Sequence, residues 1–203
     1  TQIGGNGNTK IDITYDSRRN KASICDPSYG LVKYKNDALG NVLEIANTHD
    51  VVKYEYDVLG RVVAKIENNN VHNTKNIVRW EYGKIKGQEG LLTKITSSNN
   101  HQIEYFYDDK LRVVNMIESI NGTKYETSYS YDEASRVSSM TYPSGYRILK
   151  KYSNSGYERM ICDAKTKSVL WKTNKTNSNG FITEYQLGNG SKSQYSYNPK
   201  NFM

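Results

Sequence analysis

Histidine, cysteine and carboxylate side chains are the groups of this 203-residue chain that could carry out chemistry. The three histidines, His49, His72 and His101, are 23 and 29 residues apart and lie among polar turn residues. None has a second ligand at helical or turn spacing, which a zinc site would need. We therefore expect exposed loop histidines, no metal and no cofactor.

The two cysteines, Cys25 and Cys162, lie at equivalent places in two distant copies of a repeated segment. Other copies have Ala46 or Ile66 there, and cysteine is often a small buried hydrophobe. Distant copies of a stack are too far apart for a disulfide, which needs Cα atoms within about 7 Å. We expect two buried free thiols, with a disulfide as the alternative, and this disfavours a redox or nucleophilic role.

Aspartate recurs along the chain in one sequence context, Tyr54-Glu55-Tyr56-Asp57-Val58-Leu59-Gly60-Arg61-Val62-Val63. Tyr54 and Tyr56 would point to the same face of a strand. Asp57 suits the first position of a type I turn, and Gly60 suits the fourth, where the chain often needs positive φ. The segment predicts a β-hairpin, whose turn explains the aspartate without catalysis.

Copies of this turn recur over most of the chain, in general every 20 to 24 residues. We expect structural turn positions at Asp16, Asp37, Gly40, Asp57, Gly60, Asp108, Asp132, Gly156 and Gly180. We expect structural tyrosines at Tyr15, Tyr34, Tyr54, Tyr56, Tyr105, Tyr107, Tyr129, Tyr131, Tyr152, Tyr195 and Tyr197.

Some copies lose a signature residue. Where the aspartate is lost, turn-forming residues replace it at Ser153, Asn177 and Asn198, the last in Asn198-Pro199-Lys200-Asn201. Arg19, Leu111 and Ser135 replace the glycine, which leaves the turn geometry of those copies open. A glycine- and asparagine-rich stretch at 4–8 predicts one more hairpin connection.

An apolar position follows the turn and supports the same alignment. Two residues after the glycine position, the chain has Val42, Val62, Leu92, Val113, Val137 and Ile182, with Lys21 and Glu158 as exceptions. This pattern is typical of a core-facing strand position repeated around a stack. We predict that residues 1–203 form a single array of about eight to nine repeats, with an irregular or inserted region at 68–103.

The composition favours an all-β fold. Only 36% of the residues are hydrophobic, 18 residues are tyrosine, and few segments keep a helical apolar spacing. Such a composition suits sheets with one wet face better than a closed globule. No run of 18 apolar residues occurs, so we expect no membrane span.

The net charge of +7 and the pI near 9.2 raise the question of nucleic-acid binding. Tyrosines with basic residues between them could stack on bases. However, the 28 lysines and arginines are spread along the chain, and the tyrosines follow the turns. We expect a solvated basic surface and no nucleic-acid partner.

The motif Tyr54-x-Tyr56-Asp57-x-x-Gly60-Arg61-Val62 resembles the core of the YD repeat of RHS-repeat proteins. Leu187-Gly188-Asn189-Gly190, followed by Tyr195-x-Tyr197-Asn198, and the turn Thr141-Tyr142-Pro143-Ser144-Gly145 are similar to other segments of these proteins. Asp26-Pro27-Ser28-Tyr29-Gly30-Leu31 is similar to their Asp-Pro-x-Gly-Leu self-cleavage element. Because it has one residue too many and lies near the wrong end, we predict an inter-repeat turn there.

The resemblance implies repeated antiparallel β-hairpins in a twisted, curled sheet, a strip of a β-spiral shell. It also implies a non-catalytic structural module that encapsulates or displays a C-terminal toxin or effector domain of a larger secreted or cell-surface protein. Its partners would be flanking repeats and that C-terminal domain, and exposed edge strands would favour self-association. The alternative is a carbohydrate-binding or adhesion module, since exposed tyrosine and tryptophan faces suit sugar rings; an independent enzyme is disfavoured.

Overall fold

The computed structural model describes residues 2–4, by their backbone, and residues 10–198. These residues form β-strands joined by turns and bends, and no helix occurs among them. The prediction of an all-β fold is therefore confirmed. The predicted connection at 4–8 and the last turn, Asn198-Pro199-Lys200-Asn201, lie largely outside the described residues. No part of the described chain forms a helix long and apolar enough to cross a membrane.

The chain divides into two compact units, Thr1–Tyr105 with Glu118–Lys124, and Phe106–Ile117 with Tyr125–Met203. The strands of the first unit are β1 (Gln2–Gly4), β2 (Lys10–Tyr15), β3 (Lys21–Asp26), β4 (Gly30–Asn36), β5 (Val42–Ala46), β6 (Asp50–Tyr56), β7 (Val62–Asn69), β8 (Thr74–Tyr82) and β9 (Leu92–Ser97). Three strands have residues in both units, β10 (His101–Tyr107), β11 (Val113–Ile120) and β12 (Thr123–Tyr131), of which β12 lies mostly in the second. The other strands of the second unit are β13 (Val137–Thr141), β14 (Arg147–Tyr152), β15 (Glu158–Asp163), β16 (Val169–Thr176), β17 (Ile182–Leu187) and β18 (Lys192–Gln194).

Within each unit, strands that are consecutive in the chain pair antiparallel. In the first unit this holds from β1 to β9, and β9 pairs with the start of β10. In the second unit it holds from β12 to β18. Repeated antiparallel hairpins, as predicted, are therefore the building blocks of both units.

A β-bulge, which the sequence did not predict, follows many of the tyrosine-aspartate turns. Glu55 pairs with Ala64 but Tyr56 pairs with Val62, so that Val63 is an extra residue in β7. The same shift occurs after the turns that begin at Asp16, Asp37, Asp132 and Ser153. Because a bulge bends its strand and increases the local twist, this repetition builds twist into each hairpin.

The apolar position after the turn marks the beginning of a strand. Its residues open six strands, at Val42, Val62, Leu92, Val113, Val137 and Ile182, and all six are half-buried. The prediction of a repeated strand position is confirmed. Residues 68–103 begin at the closed end of the long hairpin of β7 and β8, which pairs from Ala64 with Arg79 to Asn69 with Thr74.

The buried core is small. The buried hydrophobic residues of the described chain are Ala64, Ile148 and Cys162, with 0%, 6% and 3% of their surface exposed. Trp80 and Trp171 are half-buried. This agrees with sheets that keep a wet face.

The prediction for the cysteines is half right. Both thiols are free, and Cys162 is buried, but Cys25 is exposed. Cys25 is the second-last residue of β3 and pairs with Leu31. Leu31 is itself 43% exposed, so the end of this hairpin does not shield the Cys25 side chain from solvent.

The prediction for the histidines holds at two of three positions. His49 and His72 are exposed in connections between strands, as expected. His101 is the first residue of β10, is half-buried, and its Nε2 lies 2.7 Å from Oε1 of Glu118. The prediction of an exposed loop histidine was therefore wrong for His101, because the strand begins earlier than the polar sequence suggested.

Candidate functional site at the repeat turns

The turn from Asp57 to Gly60 shows the geometry that recurs along the chain. The Gly60 N–H donates to the Asp57 carbonyl, and the Asp57 N–H donates to the Arg61 carbonyl, both at 3.0 Å. Oδ1 of Asp57 accepts the N–H groups of Leu59 and Arg61 at 2.9 and 3.0 Å. Gly60 has φ of 76°, in the left-handed region. The aspartate thus satisfies the turn amides while the glycine supplies the conformation that closes the turn.

The other predicted turn aspartates lie in the same arrangement. Oδ1 accepts the N–H of the residue four positions on, at 2.8 to 2.9 Å, in Asp16, Asp37, Asp108 and Asp132. Asn177 uses its Oδ1 in the same way, and Ser153 uses its Oγ at 3.2 Å. The predicted turn glycines Gly40, Gly156 and Gly180 have φ of 91°, 88° and 82°.

The copies without glycine keep the same backbone. Arg19, Leu111 and Ser135 have φ of 67°, 61° and 62°, close to the value of Gly60. A left-handed conformation costs a residue with a side chain about 1–2 kcal/mol. The turn is therefore maintained in these copies against local strain, which shows how strongly the neighbouring hydrogen bonds specify it.

The side chain of the residue after the glycine position can also bind the turn aspartate. In three turns this residue is arginine, and its Nε and Nη2 both donate to Oδ2 of the turn aspartate. The Nε distances are 2.7, 2.8 and 2.8 Å, and the Nη2 distances 2.6, 2.6 and 2.7 Å, for Arg61, Arg112 and Arg136. One carboxylate oxygen therefore holds the backbone while the other holds the guanidinium.

These hydrogen bonds shift the titration of the carboxylates. The hydrogen bonds from Arg61, Arg112 and Arg136 are the largest cause that lowers the pKa of Asp57, Asp108 and Asp132, and backbone N–H donors lower it further. A carboxyl with a lowered pKa stays ionised at neutral pH. This suits a permanent ion pair rather than proton transfer.

Each arginine also lies over a tyrosine of the next repeat. The guanidinium carbon is 4.1 Å from the ring centroid of Tyr82 for Arg61, 4.3 Å from that of Tyr131 for Arg112, and 4.5 Å from that of Tyr152 for Arg136. The tyrosine hydroxyls donate back to the first strand residue after the preceding turn, to the carbonyls of Val62, Val113 and Val137 at 3.0, 2.6 and 2.8 Å. Each ring is thus held at its face and at its hydroxyl by the preceding repeat.

We call this arrangement of aspartate, arginine and next-repeat tyrosine the clasp. Its three copies are Asp57-Arg61-Tyr82, Asp108-Arg112-Tyr131 and Asp132-Arg136-Tyr152. Partial burial raises the pKa of Tyr131 and Tyr152, so their hydroxyls remain protonated donors. In the clasp, an ion pair fixes the arginine within its own turn, and a cation–π contact and a hydrogen bond link that turn to the next hairpin.

The clasp also reaches the next turn. Nη1 of Arg112 donates to Oγ of Ser135, the residue at the glycine position of that turn, at 3.1 Å. In the first clasp this position is Gly90, where an added Cβ would lie 3.7 Å from Nη1 of Arg61. Nη1 of Arg61 is buried and has no hydrogen-bond partner among the residues that the structure describes. Successive turns therefore lie side by side, and the arginine fills the space between them.

Other turns replace the arginine. Asn20 and Asn41 donate from Nδ2 to Oδ2 of Asp16 and Asp37 at 3.2 and 2.9 Å, without reaching the next hairpin in this way. Tyr56 still donates its hydroxyl to the Val42 carbonyl at 2.8 Å. In the Asp37 copy the tyrosine hydrogen bond therefore remains without a guanidinium, whereas in the Asp16 copy Nδ2 of Asn36 donates to the equivalent carbonyl, that of Lys21, at 2.9 Å.

Two turns of the second unit use aromatic residues instead of arginine. The Phe181 ring lies 5.3 Å from the Tyr197 ring, whose hydroxyl donates to the Ile182 carbonyl at 2.9 Å. The Tyr157 ring packs against Gly180 of the following turn, where an added Cβ would lie 2.5 Å from the ring. In these turns of the second unit, the residue after the glycine position therefore has a planar side chain, either the guanidinium group of arginine or an aromatic ring.

Several of the predicted tyrosines contact the preceding repeat through their hydroxyls. Tyr56, Tyr131, Tyr152 and Tyr197 donate to a strand carbonyl, as does Tyr82, which was not among the predicted sites. The others lie in or near strands at Tyr15, Tyr34, Tyr54, Tyr105, Tyr107, Tyr129 and Tyr195. In this group, Lys21 lies over the Tyr34 ring at 5.3 Å, and the Tyr195 ring stacks on Tyr185 at 5.9 Å.

The arginines are the site residues that sequence reasoning missed. A signal was present, because Arg61, Arg112 and Arg136 each directly follow the glycine position of their copies. Arg61 belongs to the repeat motif, but the sequence alone assigns it no contact. Among the described residues, no group of three or more histidine, cysteine, aspartate or glutamate side chains could hold a metal ion.

These features define a class of protein: an antiparallel hairpin repeat in which turn residues link each hairpin to the next. The family model of the Teneurin YD-shell matches residues 1–202. The chain belongs to the Teneurin YD-shell family, which confirms the resemblance to YD and RHS repeats. Structural repeats of this kind are in general not catalytic.

Solved structures share the fold at low sequence identity. The crystal structure of TcdB2-TccC3-Cdc42 is 15% identical with a TM-score of 0.68, and that of TcdB2-TccC3 without the hypervariable C-terminal region is 15% identical with a TM-score of 0.67. Each match covers 99% of this chain and 13% of the other. The chain thus spans about 13% of the length of these neighbours. No curated protein matches the sequence.

Proposed function

We propose that this chain is a non-catalytic part of the wall of a β-shell, and that the shell encloses or displays a C-terminal toxin or effector domain of a larger secreted or cell-surface protein. The clasp is the observation that carries the proposal. The residues that distinguish the repeat from an ordinary hairpin contact each other and the next hairpin. They therefore act in assembly of the wall.

The chemistry of the clasp supports a structural role. The carboxylates of Asp57, Asp108 and Asp132 have a lowered pKa and are bonded through both oxygens. A general acid or base needs a pKa near the working pH and a free path to substrate. We therefore assign a structural role to the predicted turn residues and tyrosines. We also propose that residues 1–203 form one array of about eight to nine repeats, with an irregular or inserted region at 68–103.

Membership in the YD-shell family and the fold shared with TcdB2-TccC3 also support the proposal. Because the chain spans about 13% of those neighbours, the flanking repeats of the parent protein would complete the wall. Sugar binding, the alternative predicted from the tyrosines, is not favoured, since neither the family nor these neighbours indicate a sugar. Self-association of the chain through its edge strands remains a prediction.

Limited proteolysis of the complete parent protein would test enclosure. The rate at which its C-terminal domain is cleaved is compared with that of the same domain expressed alone, with fragments followed by mass spectrometry. We expect the domain within the parent to be protected at least ten-fold. Equal cleavage rates, with the shell shown to be folded by circular dichroism, would refute enclosure and leave display at the surface.

A further inference from the structure

A groove in the first unit has no part in the clasps. It has a volume of about 730 Å³ and crosses the strands from β3 to β8. Strands are spaced about 4.8 Å apart, so six strands span about 24 Å. An extended polypeptide of about seven residues has this length, at 3.3 Å per residue. The groove is too long for a single ion or a small cation.

The floor of the groove is aliphatic. Ile24 pairs directly with Val32, and Ile45 pairs directly with Val52, so these four side chains lie on one face of neighbouring strands. All four are half-buried. They offer apolar surface to a ligand, at about 25 cal/mol for each Å² that the ligand covers.

The rim of the groove is acidic, in contrast to the rest of the chain. Asp26, Asp50 and Glu67 line it, while no lysine, arginine or histidine is among its lining residues. The chain as a whole has a net charge of +7. The groove therefore has the charge that would attract a cationic ligand and repel an anionic one.

Hydrogen bonds hold each of the three carboxylates in place. Oδ1 of Asp26 accepts the backbone N–H of Ser28 at 2.7 Å, and Oδ1 of Asp50 accepts Nδ2 of Asn69 at 2.8 Å. These donors are neutral. Glu67 is bound by Lys65 and Asn76, whose hydrogen bonds lower its pKa and keep it ionised. Because Lys65 already pairs with Glu67, the carboxylates that would attract a cationic ligand are those of Asp26 and Asp50.

An aromatic ring stands at one end of the groove. Tyr29, in the turn between β3 and β4, lines the groove and is 72% exposed. A ring face of this kind attracts lysine or arginine cations when they lie within about 6 Å. The aliphatic floor, acidic rim and exposed ring thus match one kind of occupant.

We propose that this groove binds an extended polypeptide segment that carries lysine or arginine next to aliphatic residues. The aliphatic side chains lie on the floor, and the cations face Asp26, Asp50 and the ring of Tyr29. This proposal does not depend on enclosure of a toxin, because it concerns a surface of the chain itself.

The test uses a fluorescein-labelled octapeptide, Ser-Leu-Lys-Leu-Lys-Val-Ser-Gly, and a twin with glutamate in place of both lysines. Binding to the chain is measured by fluorescence anisotropy. We expect the lysine peptide to bind and the glutamate twin to bind at least ten-fold more weakly. Affinity should fall as salt is raised from 50 to 300 mM, since exposed charges are screened.

The variant Asp26→Asn with Asp50→Asn tests the rim, because asparagine keeps the oxygen that accepts the two structural hydrogen bonds. The matched control is Asp109→Asn with Glu133→Gln, which removes the same charge from exposed positions in the second unit. We expect at least a five-fold loss of affinity in the first variant and less than a two-fold change in the control. No binding to the wild-type chain, equal binding of the glutamate twin, or equal losses in both variants would overturn the proposal.

The variant Ile45→Ser tests the floor. We expect weaker binding of the lysine peptide at high salt, where the apolar contact dominates, provided that thermal unfolding shows a folded chain. If Ile45→Ser unfolds the chain, Tyr29→Ala replaces it, because Tyr29 is mostly exposed. Unchanged affinity in the folded variant would contradict binding of the peptide in this groove.

Discussion

Turns with and without the clasp share one backbone but connect their hairpins differently. At Asp37, the neighbouring Asn41 returns to the same carboxylate and remains within its own turn. At Asp108, Arg112 bonds the carboxylate, covers Tyr131 and reaches Ser135 of the next turn. The comparison shows that the aspartate specifies the turn, whereas the residue after the glycine position determines how strongly one repeat is linked to the next.

The largest effect is expected where the shared backbone is broken. Gly60→Val places a β-branched residue at φ of 76°, which should lower the free energy of unfolding by about 1–3 kcal/mol. Apart from its chain neighbours, no described residue has an atom within 4 Å of the added Cβ, so the cost is one of backbone conformation. Urea unfolding measures it. The matched control is Leu111→Gly, which should stabilise the chain because it relieves the same conformation at φ of 61°.

The next effect separates the two kinds of turn. Arg112→Ala removes the ion pair and the cation–π contact of one clasp and should cost about 1–2 kcal/mol. Asn41→Ala removes one hydrogen bond within a turn and should cost about half as much or less. Urea unfolding of both variants compares them directly. Equal costs would mean that the arginine contributes nothing beyond its own turn.

A smaller effect isolates the hydroxyl of the clasp. Tyr131→Phe keeps the ring below Arg112 but leaves the Val113 carbonyl without its donor, at a cost of about 1 kcal/mol. Tyr129→Phe, two residues earlier in β12, is the control, because the described contacts give its hydroxyl no hydrogen bond. Thermal unfolding should separate the two. A change at Tyr129 as large as that at Tyr131 would contradict a specific role for this bond.

The smallest effect concerns pH. The folded-state pKa of Asp57, Asp108 and Asp132 is lowered below the unfolded value of about 3.9. The unfolded chain therefore takes up protons first, and stability should be constant at neutral pH and fall as the pH drops below about 4. Asp108→Asn should lose part of this pH dependence, as measured by urea midpoints between pH 7 and 3. A slope unchanged in this variant would show that other groups cause the acid sensitivity.

The sequence predicted the hairpins because their signals are local. Tyr54, Asp57, Gly60 and Val62 each prefer one conformation, and copies at regular spacing reinforce one another. The bulge at Val63 was not predictable in this way, since it depends on which residue pairs across the hairpin. The clasp was missed for the same reason, because Arg61 and Tyr82 are 21 residues apart and meet only when the hairpins pair. Cys25 and His101 were misjudged because exposure at the end of a strand depends on the neighbouring hairpin.

A double-mutant cycle between Arg112 and Tyr131 tests the central claim most directly. Arg112→Ala, Tyr131→Leu and the double variant are unfolded in urea, and a parallel cycle pairs Arg112→Ala with Tyr185→Leu, two residues that do not share a clasp. The account predicts a coupling of about 0.5–1 kcal/mol in the first cycle and additive costs in the second. Additive costs in both cycles would contradict the claim that the clasp links one repeat to the next.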